Sequence, residues 1–503
     1  MTATSSLHDW GDLRSSGART LDVDVLVIGS GAGGASTAAT AIELGHSVLM
    51  LEEGPYVPAA KAPALMADSF AKIWRHGGLT ATYGTPPLAY AEGCCVGGST
   101  EVNSAIFQRA PEALLAEWQK NYRLRNFSAE ELAPYYDWAA QVVNASLTPP
   151  PLGMPSDLLM RAGQAMGWQV KQLERGQRDC VGTNLCALPC PTGGKQSMSS
   201  TLIPALLQRG TAIIAEAKVT RLIRQGSWIK GAKVCTRDAD GQTHNLTVKA
   251  RRIFLCAGAI QTPALLQQAG FRGPIGQKLR LHPTIKCLTH FNEIIDAQDY
   301  RLPLVAVTQF MPELRLGGSV FTPGTFGVAL AEDWQRRSGS IGKMRQSAIY
   351  YAMVRGRGHG RVISMPGGAA PIVTYRLDPQ DWRLLGEGVS RLAQAMLTIG
   401  ATKVYPSIAG HEGWNDPQQA AKAFGEKLPK NRSQLMTIHL FGSCPMGDSP
   451  GICGADSFGR VFGAENLFVA DASLIPEAPG VNPQATVMAL ARRNALHNLG
   501  EQS

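Results

Sequence analysis

The sequence has few cysteines, no long apolar run and no leader-like start, and each absence argues against a class of protein. Ten cysteines in 503 residues are far below the density of a disulfide scaffold, so most are expected to be thiols. No uncharged apolar stretch reaches the roughly 18 residues that a membrane span needs. Residues 1–20 lack the apolar core of a secretion signal, so the expected location is cytoplasmic.

Charge and length limit the possible partners and the domain count. The net charge of +9 comes from basic residues that are scattered along the chain, and no nucleic-acid-binding motif occurs, so no nucleic-acid partner is expected. One alternative is a basic surface that binds an acidic electron-transfer protein. A chain of 503 residues without internal repeats exceeds what one core usually supports, and two associated domains are expected.

The most informative segment is a glycine-rich turn between an apolar strand and a helix of small residues. Residues 25–28 form the strand, and Gly29, Gly31 and Gly34 complete the pattern GxGxxG. The first glycine permits the turn, the second allows backbone N–H groups to approach a pyrophosphate, and the third allows close helix–strand packing. Glu52 ends the next apolar strand, where an acid binds ribose hydroxyls. The segment predicts dinucleotide binding.

Later segments predict local structure. Ser128 and Glu131 form a capping-box pattern at a helix start. Alternating apolar and polar residues predict strands over 304–310 and 348–354, and the last helix is expected near 484–499.

The order of these patterns predicts an α/β fold in which an antiparallel sheet is inserted into a discontinuous Rossmann-like domain. Residues 1–20 form an extension. The dinucleotide-binding domain takes 21–285 and 430–503, with substrate-side insertions near 116–199, and the substrate-binding domain takes 286–429.

Four segments, in order along nearly the whole chain, resemble the glucose-methanol-choline (GMC) family of FAD-dependent oxidoreductases. They are residues 29–52, the loop 97–103, the signature-like stretch 258–270 with Ala269 where a serine is common, and the carboxy-terminal set 439–447, 470–476 and 481–486.

The resemblance implies a cofactor and its site. The cofactor is FAD, bound noncovalently, because Cys94, Cys95 and Val96 stand where some relatives carry the histidine that attaches the flavin. The residues expected to bind FAD are Gly29, Gly31, Gly34, Glu52, Gly97, Gly98, Ser99, Asn103, Val219, Gly258, Asp471 and Pro483.

The implied reaction is oxidation of an alcohol CH–OH group to the carbonyl, with hydride transfer to flavin N5. The hydroxyl proton needs a base, and His439 matches the family position and has a suitable side chain. Asn482 matches the partner position, where its amide orients the oxygen. His282 also matches a family element and is expected to be structural. The substrate is a small-molecule alcohol that the sequence does not identify, and the electron acceptor is oxygen or another acceptor, so both oxidase and dehydrogenase activity stay open.

A cysteine triplet gives the main alternative. Cys180, Cys186 and Cys190, with Pro191 after the last, are similar to a segment of family dehydrogenases that carry an iron–sulfur cluster and reduce a cytochrome or quinone. Free or structural thiols are a second interpretation, and a disulfide or zinc site is a third. Two further hypotheses are a non-redox lyase on the same fold and a non-catalytic binding protein.

Overall fold

The computed structural model of the chain describes residues 7–8, 20–63, 65–237, 241–300, 302–423 and 428–500. The strands are β1 Leu7–His8, β2 Thr20–Ile28, β3 Val48–Leu51, β4 Thr80–Ala81, β5 Leu88–Tyr90, β6 Ala145–Ser146, β7 Val170–Gln172, β8 Arg175–Gly176, β9 Ala212–Ile214, β10 Ala217–Gln225, β11 Trp228–Arg237, β12 Thr243–Leu255, β13 Arg280–Leu281, β14 Thr284–His290, β15 Val305–Val307, β16 Leu314–Gly318, β17 Ser347–Val354, β18 His359–Ile363, β19 Ile372–Arg376, β20 Lys403–Pro406, β21 Leu435–Thr437, β22 Leu440–Phe441 and β23 Leu467–Val469.

The α-helices are α1 Ala32–Glu43, α2 Met66–Ile73, α3 Glu112–Tyr122, α4 Ala129–Val142, α5 Met154–Ala165, α6 Leu202–Gln208, α7 Gly258–Gln268, α8 Pro323–Ala331, α9 Trp334–Arg337, α10 Pro379–Thr398, α11 Pro417–Lys422 and α12 Gln484–Leu499.

The first sheet has the order β1-β9-β3-β2-β12-β11-β10, and β23 pairs with the end of β12. Strands β9, β3, β2, β12 and β23 run parallel, whereas β10, β11 and β12 form an antiparallel meander. Residues 25–28 are buried, as expected for a parallel strand covered on both faces. Helix α1 packs on this sheet and against α12.

The second sheet is mainly antiparallel, with the order β4-β5-β21-β14-β17-β16-β15-β7 and with β20 beside β14. Its core face is covered by α10, which contacts β14, β16 and β17. The predicted α/β architecture with an antiparallel second sheet is confirmed. Strands β4, β5, β7 and β21 join this sheet from outside 286–429, and the domain bounds themselves stay predictions.

Most local predictions agree with the structure. Ser128 Oγ accepts from Glu131 N at 3.2 Å, and Glu131 Oε2 accepts from Ser128 N at 2.8 Å, which confirms the capping box. Helix α12 has the predicted bounds, and β17 covers the predicted strand at 348–354. The strand predicted over 304–310 is wrong in length, because a turn from Thr308 O to Met311 N ends β15 early.

The amino-terminal extension falls mainly on residues 1–6 and 9–19, outside the described residues, although Leu7–His8 pairs with β9. Within the part of the chain that the structure describes, no helix has both the length and the apolar character to cross a membrane.

Candidate active site

One large cavity joins the glycine-rich turn after β2 to the carboxy-terminal pair His439 and Asn482. Its volume is about 1340 Å³, more than the roughly 300–1,000 Å³ of a pocket for one drug-sized ligand. The cavity therefore has room for a dinucleotide together with a second, smaller molecule.

At Gly29 and Gly34 of the turn after β2, and at Gly33 between them, the neighbouring backbone leaves no room for a side chain. Gly29 has φ +104°, and a Cβ there would lie 2.3 Å from Cys256 O. A Cβ on Gly34 would lie 1.9 Å from Gly29 O, and one on Gly33 would lie 1.8 Å from Ala470 O. A side chain at Gly29 would push the turn away from the segment after β12, and side chains at Gly34 and Gly33 would push α1 away from the end of β2 and from the segment after β23. The glycines therefore keep the start of α1 close to the cavity.

Ser30 connects the two glycine loops through its hydroxyl. Its Oγ donates to Glu52 Oε2 at 2.6 Å and accepts from Gly97 N at 3.0 Å. Glu52 also accepts from Ser30 N and Gly54 N, each at 3.0 Å. Burial raises the pKa of Glu52, and the hydrogen bonds from Ser30 and Gly54 oppose that shift. The carboxylate thus holds the loop in place as well as facing the cavity.

Ten of the twelve predicted cofactor residues line the cavity: Gly29, Gly31, Glu52, Gly98, Ser99, Asn103, Val219, Gly258, Asp471 and Pro483. Gly34 and Gly97 lie behind its wall. Gly97 has φ +95°, and a Cβ there would lie 2.2 Å from Glu101 Oε1, so both act through backbone packing.

Asp471 fixes the start of α7 beside the cavity. Its Oδ2 accepts from Gly258 N at 2.9 Å and Thr262 Oγ1 at 2.5 Å, and its Oδ1 accepts from Ser473 N at 2.8 Å. Asp471 therefore joins the segment after β23 to the segment after β12, where two parallel strands end side by side.

Asn103 links the second glycine loop to the start of α12. Its Nδ2 donates to Gln484 Oε1 at 2.7 Å, and its Oδ1 accepts from Ala105 N at 2.9 Å. This contact lies next to Pro483 and Asn482 in the chain.

His439 and Asn482 meet at the end of the cavity near the second sheet. Asn482 Nδ2 lies 3.2 Å from His439 Nε2, and both residues are buried on the cavity wall. Thr437 Oγ1 accepts from His439 N at 3.2 Å and donates to His439 O at 3.0 Å. This local turn between β21 and β22 directs the imidazole inward, whereas Ile438 is exposed.

His282, which the sequence predicts to be structural, belongs to the same arrangement. Its Nδ1 lies 2.9 Å from His439 Nδ1, its Nε2 accepts from Gly480 N at 3.0 Å, and it is fully buried. The two rings are nearly perpendicular, with an interplanar angle of 89°.

Burial keeps both imidazoles neutral. Desolvation, with a further contribution from the positive charge of Arg315, lowers the pKa of His439 to about 3. Desolvation and then the neighbouring His439 lower the pKa of His282 well below its usual value. Neither ring carries a charge near neutral pH.

The hydrogen-bond chain determines where the two imidazole protons lie. Because Gly480 N–H donates to His282 Nε2, a neutral His282 carries its proton on Nδ1 and donates it to His439 Nδ1. His439 then carries its own proton on Nε2. Asn482 Oδ1 is buried and lacks a hydrogen-bond partner, and turning the amide over makes it the acceptor of that proton. At rest, His439 is a hydrogen-bond donor toward Asn482.

The low pKa of His439 predicts a specific pH dependence of stability. Below about pH 6.5 the unfolded chain binds a proton at this histidine that the folded chain refuses until about pH 3. The contribution of neutral His439 to the free energy of unfolding is complete above pH 6.5. It is lost as the pH falls below that value, by up to about 1.4 kcal/mol per pH unit. Glutamine does not titrate, so His439→Gln lacks this loss. The free energy of unfolding of the native protein should therefore fall relative to that of His439→Gln between pH 6.5 and pH 4. Urea unfolding of both proteins at matched FAD loading measures it, and parallel stability curves would contradict the low pKa.

The cysteine triplet does not form a metal-binding group. In residues 20–500, leaving out the gaps named above, no set of three or more His, Cys, Asp or Glu side chains is placed to hold a metal ion. Cys186 is buried and accepts from Arg175 Nη2 at 3.2 Å, whereas Cys190 contacts Thr192 Oγ1 at 3.4 Å. The alternative of an iron–sulfur cluster at Cys180, Cys186 and Cys190 therefore finds no ligand set among the described residues.

Several site residues escaped sequence reasoning because their partners are distant in the chain. Ser30 carries the loop-to-loop contact, and Gln484 holds Asn103. Arg315 and Lys286 line the cavity from the second sheet. Of these residues, only Ser30 could have been picked out from the sequence, because it lies inside the GxGxxG pattern.

Family models match most of the chain. The GMC oxidoreductase amino-terminal model matches residues 70–284, the carboxy-terminal model matches residues 361–491, and an FAD binding domain model matches residues 24–67. An uncharacterised GMC-type oxidoreductase of Sinorhizobium fredii is 51% identical over 483 residues, which are 96% of each chain. The chain belongs to the GMC oxidoreductase family.

More distant relatives share the fold. A long-chain-alcohol oxidase of Arabidopsis thaliana is 26% identical over 94% of this chain and 66% of its own. The crystal structure of pyridoxine 4-oxidase from Mesorbium loti superposes with a TM-score of 0.68 at 17% identity, over 96% of this chain and all of that one. The family models, with the FAD binding domain model, show that this GMC oxidoreductase is an FAD-dependent oxidoreductase.

The cavity residues fit FAD. The glycines whose Cβ atoms would collide with backbone leave the loop beside α1 open to a phosphate-bearing ligand, and Glu52 stands at the end of β3 for ribose hydroxyls. The same cavity then continues to His439 and Asn482, which provides a reaction site next to the cofactor.

Proposed function

We propose that the enzyme oxidises an alcohol to a carbonyl compound at the His439–Asn482 end of the cavity. The observation that carries the proposal is that this polar pair lies on the wall of the same cavity as the dinucleotide-binding loops. Bound FAD supplies the acceptor for the hydride that leaves the carbinol carbon. The protein's own task is to hold the carbinol oxygen and to take its proton.

Asn482 and His439 divide that task. The Asn482 amide has no basic lone pair, so it positions the oxygen and stabilises negative charge that develops on it. His439 takes the proton through Nε2, the nitrogen next to Asn482. The hydrogen bond with His282 fixes the His439 ring. Asn482 is fixed by its position just before the start of α12.

Proton uptake requires the tautomer of His439 that has a free Nε2. In that tautomer the Gly480 N–H faces an N–H of His282 and loses its acceptor. An unpaired buried donor costs about 1–3 kcal/mol, which is small beside the roughly 8 kcal/mol or more by which enzymes lower barriers. Leaving the resting tautomer of His439 therefore adds only modestly to the barrier. The hydrogen bond from Gly480 to His282 determines how much free energy this change costs.

Oxygen is the proposed electron acceptor, and the cytoplasm is the proposed location. Support for oxygen comes from the names of similar proteins, which include a long-chain-alcohol oxidase and a pyridoxine 4-oxidase.

Product analysis tests the proposal. FAD-loaded protein in air-saturated buffer is incubated with a panel of primary alcohols, sugars and sterols, and the carbonyl product and hydrogen peroxide are both quantified. Oxidation of CH–OH by oxygen yields one carbonyl group and one hydrogen peroxide, so equal amounts are expected. A product at the same oxidation level as its substrate, with no peroxide, would indicate the lyase instead.

A further inference from the structure

One face of the second sheet lines the cavity, and it carries two basic side chains, Arg315 and Lys286. Three strands lie side by side here, with β17 between β14 and β16. In one row across them, Thr284 of β14 pairs with Met353 of β17, which pairs with Arg315 of β16. In the next row on the same face, Lys286 of β14 pairs with Tyr351 of β17. All five line the cavity. Because residues two apart on a strand share a face, the guanidinium and the ammonium come from adjacent rows of the same wall.

Arg315 is a buried cation without an anionic partner. It is 2% exposed. Its Nη1 donates to Gln108 Oε1 at 2.6 Å and its Nη2 to Tyr351 Oη at 3.0 Å and, at 4.0 Å, to Met353 Sδ. Its Nε is buried and has no hydrogen-bond partner. These contacts are all neutral, and no carboxylate of the described residues forms an ion pair with it, which is unusual because buried charges are normally paired.

The position of Arg315 is built into the sheet. A Cβ on Gly317, which faces Tyr351 on the neighbouring strand, would lie 2.4 Å from Tyr351 Oη. Glycine there makes room for the phenol that holds the guanidinium. The charge also acts at the reaction end of the cavity, because it contributes to the lowered pKa of His439.

Lys286 adds a second cation, and the nearby acid does not neutralise the wall. Burial lowers the pKa of Lys286, and the attraction of Glu332 opposes that shift. Glu332 Oε2 also binds Arg337 Nη1 at 2.8 Å, and its Oε1 accepts from Ser407 Oγ at 3.0 Å. Glu332 therefore interacts with two cations, Arg337 and Lys286, whereas Arg315 has no acidic partner among the described residues, so positive charge is in excess on this face of the sheet.

We propose that the alcohol substrate carries an oxyanion group, a carboxylate or a phosphate, that binds Arg315 and Lys286 while its carbinol group lies at His439. The assignment rests on the proposed alcohol oxidation. It names Arg315 as the residue that determines specificity, since a guanidinium matches oxyanion geometry and is always charged.

The first test compares alcohols that differ in charge. Flavin bleaching is followed anaerobically with 4-(hydroxymethyl)benzoate against benzyl alcohol, with ω-hydroxycarboxylates of increasing length against the matching alkanols, and with glycerol 3-phosphate against glycerol. A binding test that needs no turnover uses benzoate and inorganic phosphate, with benzamide as the neutral probe, read from the visible spectrum of the bound oxidised flavin. At least one anionic probe of each test should be preferred over its neutral counterpart.

The second test removes the charge. Arg315→Met should lose roughly thirtyfold or more of the preference for the anionic member, because truncating one partner of a buried charge pair is costly, whereas Arg315→Lys should retain part of it. Arg361→Met is the matched control, since Arg361 is exposed and outside the cavity lining. It changes the net charge equally and should keep the preference. Lys286→Met, tested in the same way, covers the case in which Arg315→Met does not retain FAD.

The outcomes separate the two proposals. Neutral probes that match anionic ones in the native enzyme, or an unchanged preference in Arg315→Met with FAD bound, would overturn the oxyanion site and leave alcohol oxidation standing. Anion binding that depends on Arg315 without bleaching by any alcohol would support the site and refute the proposed oxidation.

Discussion

Replacing His439 with glutamine should lower kcat by about 10²–10⁴-fold while FAD remains bound. General base catalysis contributes a factor of this size, and glutamine keeps a polar side chain beside Asn482 but accepts no proton. His439 hydrogen-bonds Thr437, His282 and Asn482 and not the glycine-rich turn after β2, so the FAD content should change little. Steady-state turnover and flavin absorbance of the purified variant measure both quantities.

His359→Gln is the matched control, because it makes the same chemical change at an exposed strand residue outside the cavity lining, and it should keep native turnover. If His439→Gln retained more than about a tenth of native kcat, a factor well below that of general base catalysis, His439 would not be the base.

Replacing Gly33 with valine should abolish FAD binding and destabilise the protein. Even a single Cβ at this position would lie 1.8 Å from Ala470 O, so α1 must move away from the segment after β23 and carry the phosphate-binding loop with it. Overpacking of this kind costs about 1–3 kcal/mol or more. Flavin content after dialysis and the midpoint of urea unfolding provide the readouts.

Gly327→Ala is the counterpart, because Gly327 lies in α8 with open space around the position of a Cβ. It should keep FAD and be neutral or slightly stabilising, since alanine suits a helix interior better than glycine. Native flavin content in the purified Gly33→Val variant would show that FAD binding does not need the close contact between α1 and Ala470.

The glycine loops were predictable because their physics is local. Gly29, Gly31, Gly34 and Glu52 lie on one strand–turn–helix–strand unit, where each residue type follows from backbone geometry or from phosphate and ribose chemistry. The resemblance to the family extended this prediction to His439 and Asn482, which sequence chemistry alone would have left as one buried histidine and one amide.

The rest of the site depends on contacts between distant segments. His282 lies 157 positions from His439, and the pattern around it gives no sign that the two rings touch. Arg315 reaches the cavity only because β14, β17 and β16 pair in one register, and an unpaired buried guanidinium is visible only when its neighbours are known. The cysteine triplet shows the converse, because close spacing in sequence did not produce a metal-binding set among the described residues.

The most direct measurement is the rate at which the bound flavin loses its visible absorbance when the enzyme is mixed anaerobically with an alcohol, compared with the same alcohol carrying deuterium on the carbinol carbon. We expect bleaching that is slower with the deuterated alcohol and that is nearly lost in His439→Gln. An FAD-loaded enzyme that keeps its full absorbance with every alcohol of the panel, anionic members included, would contradict the account.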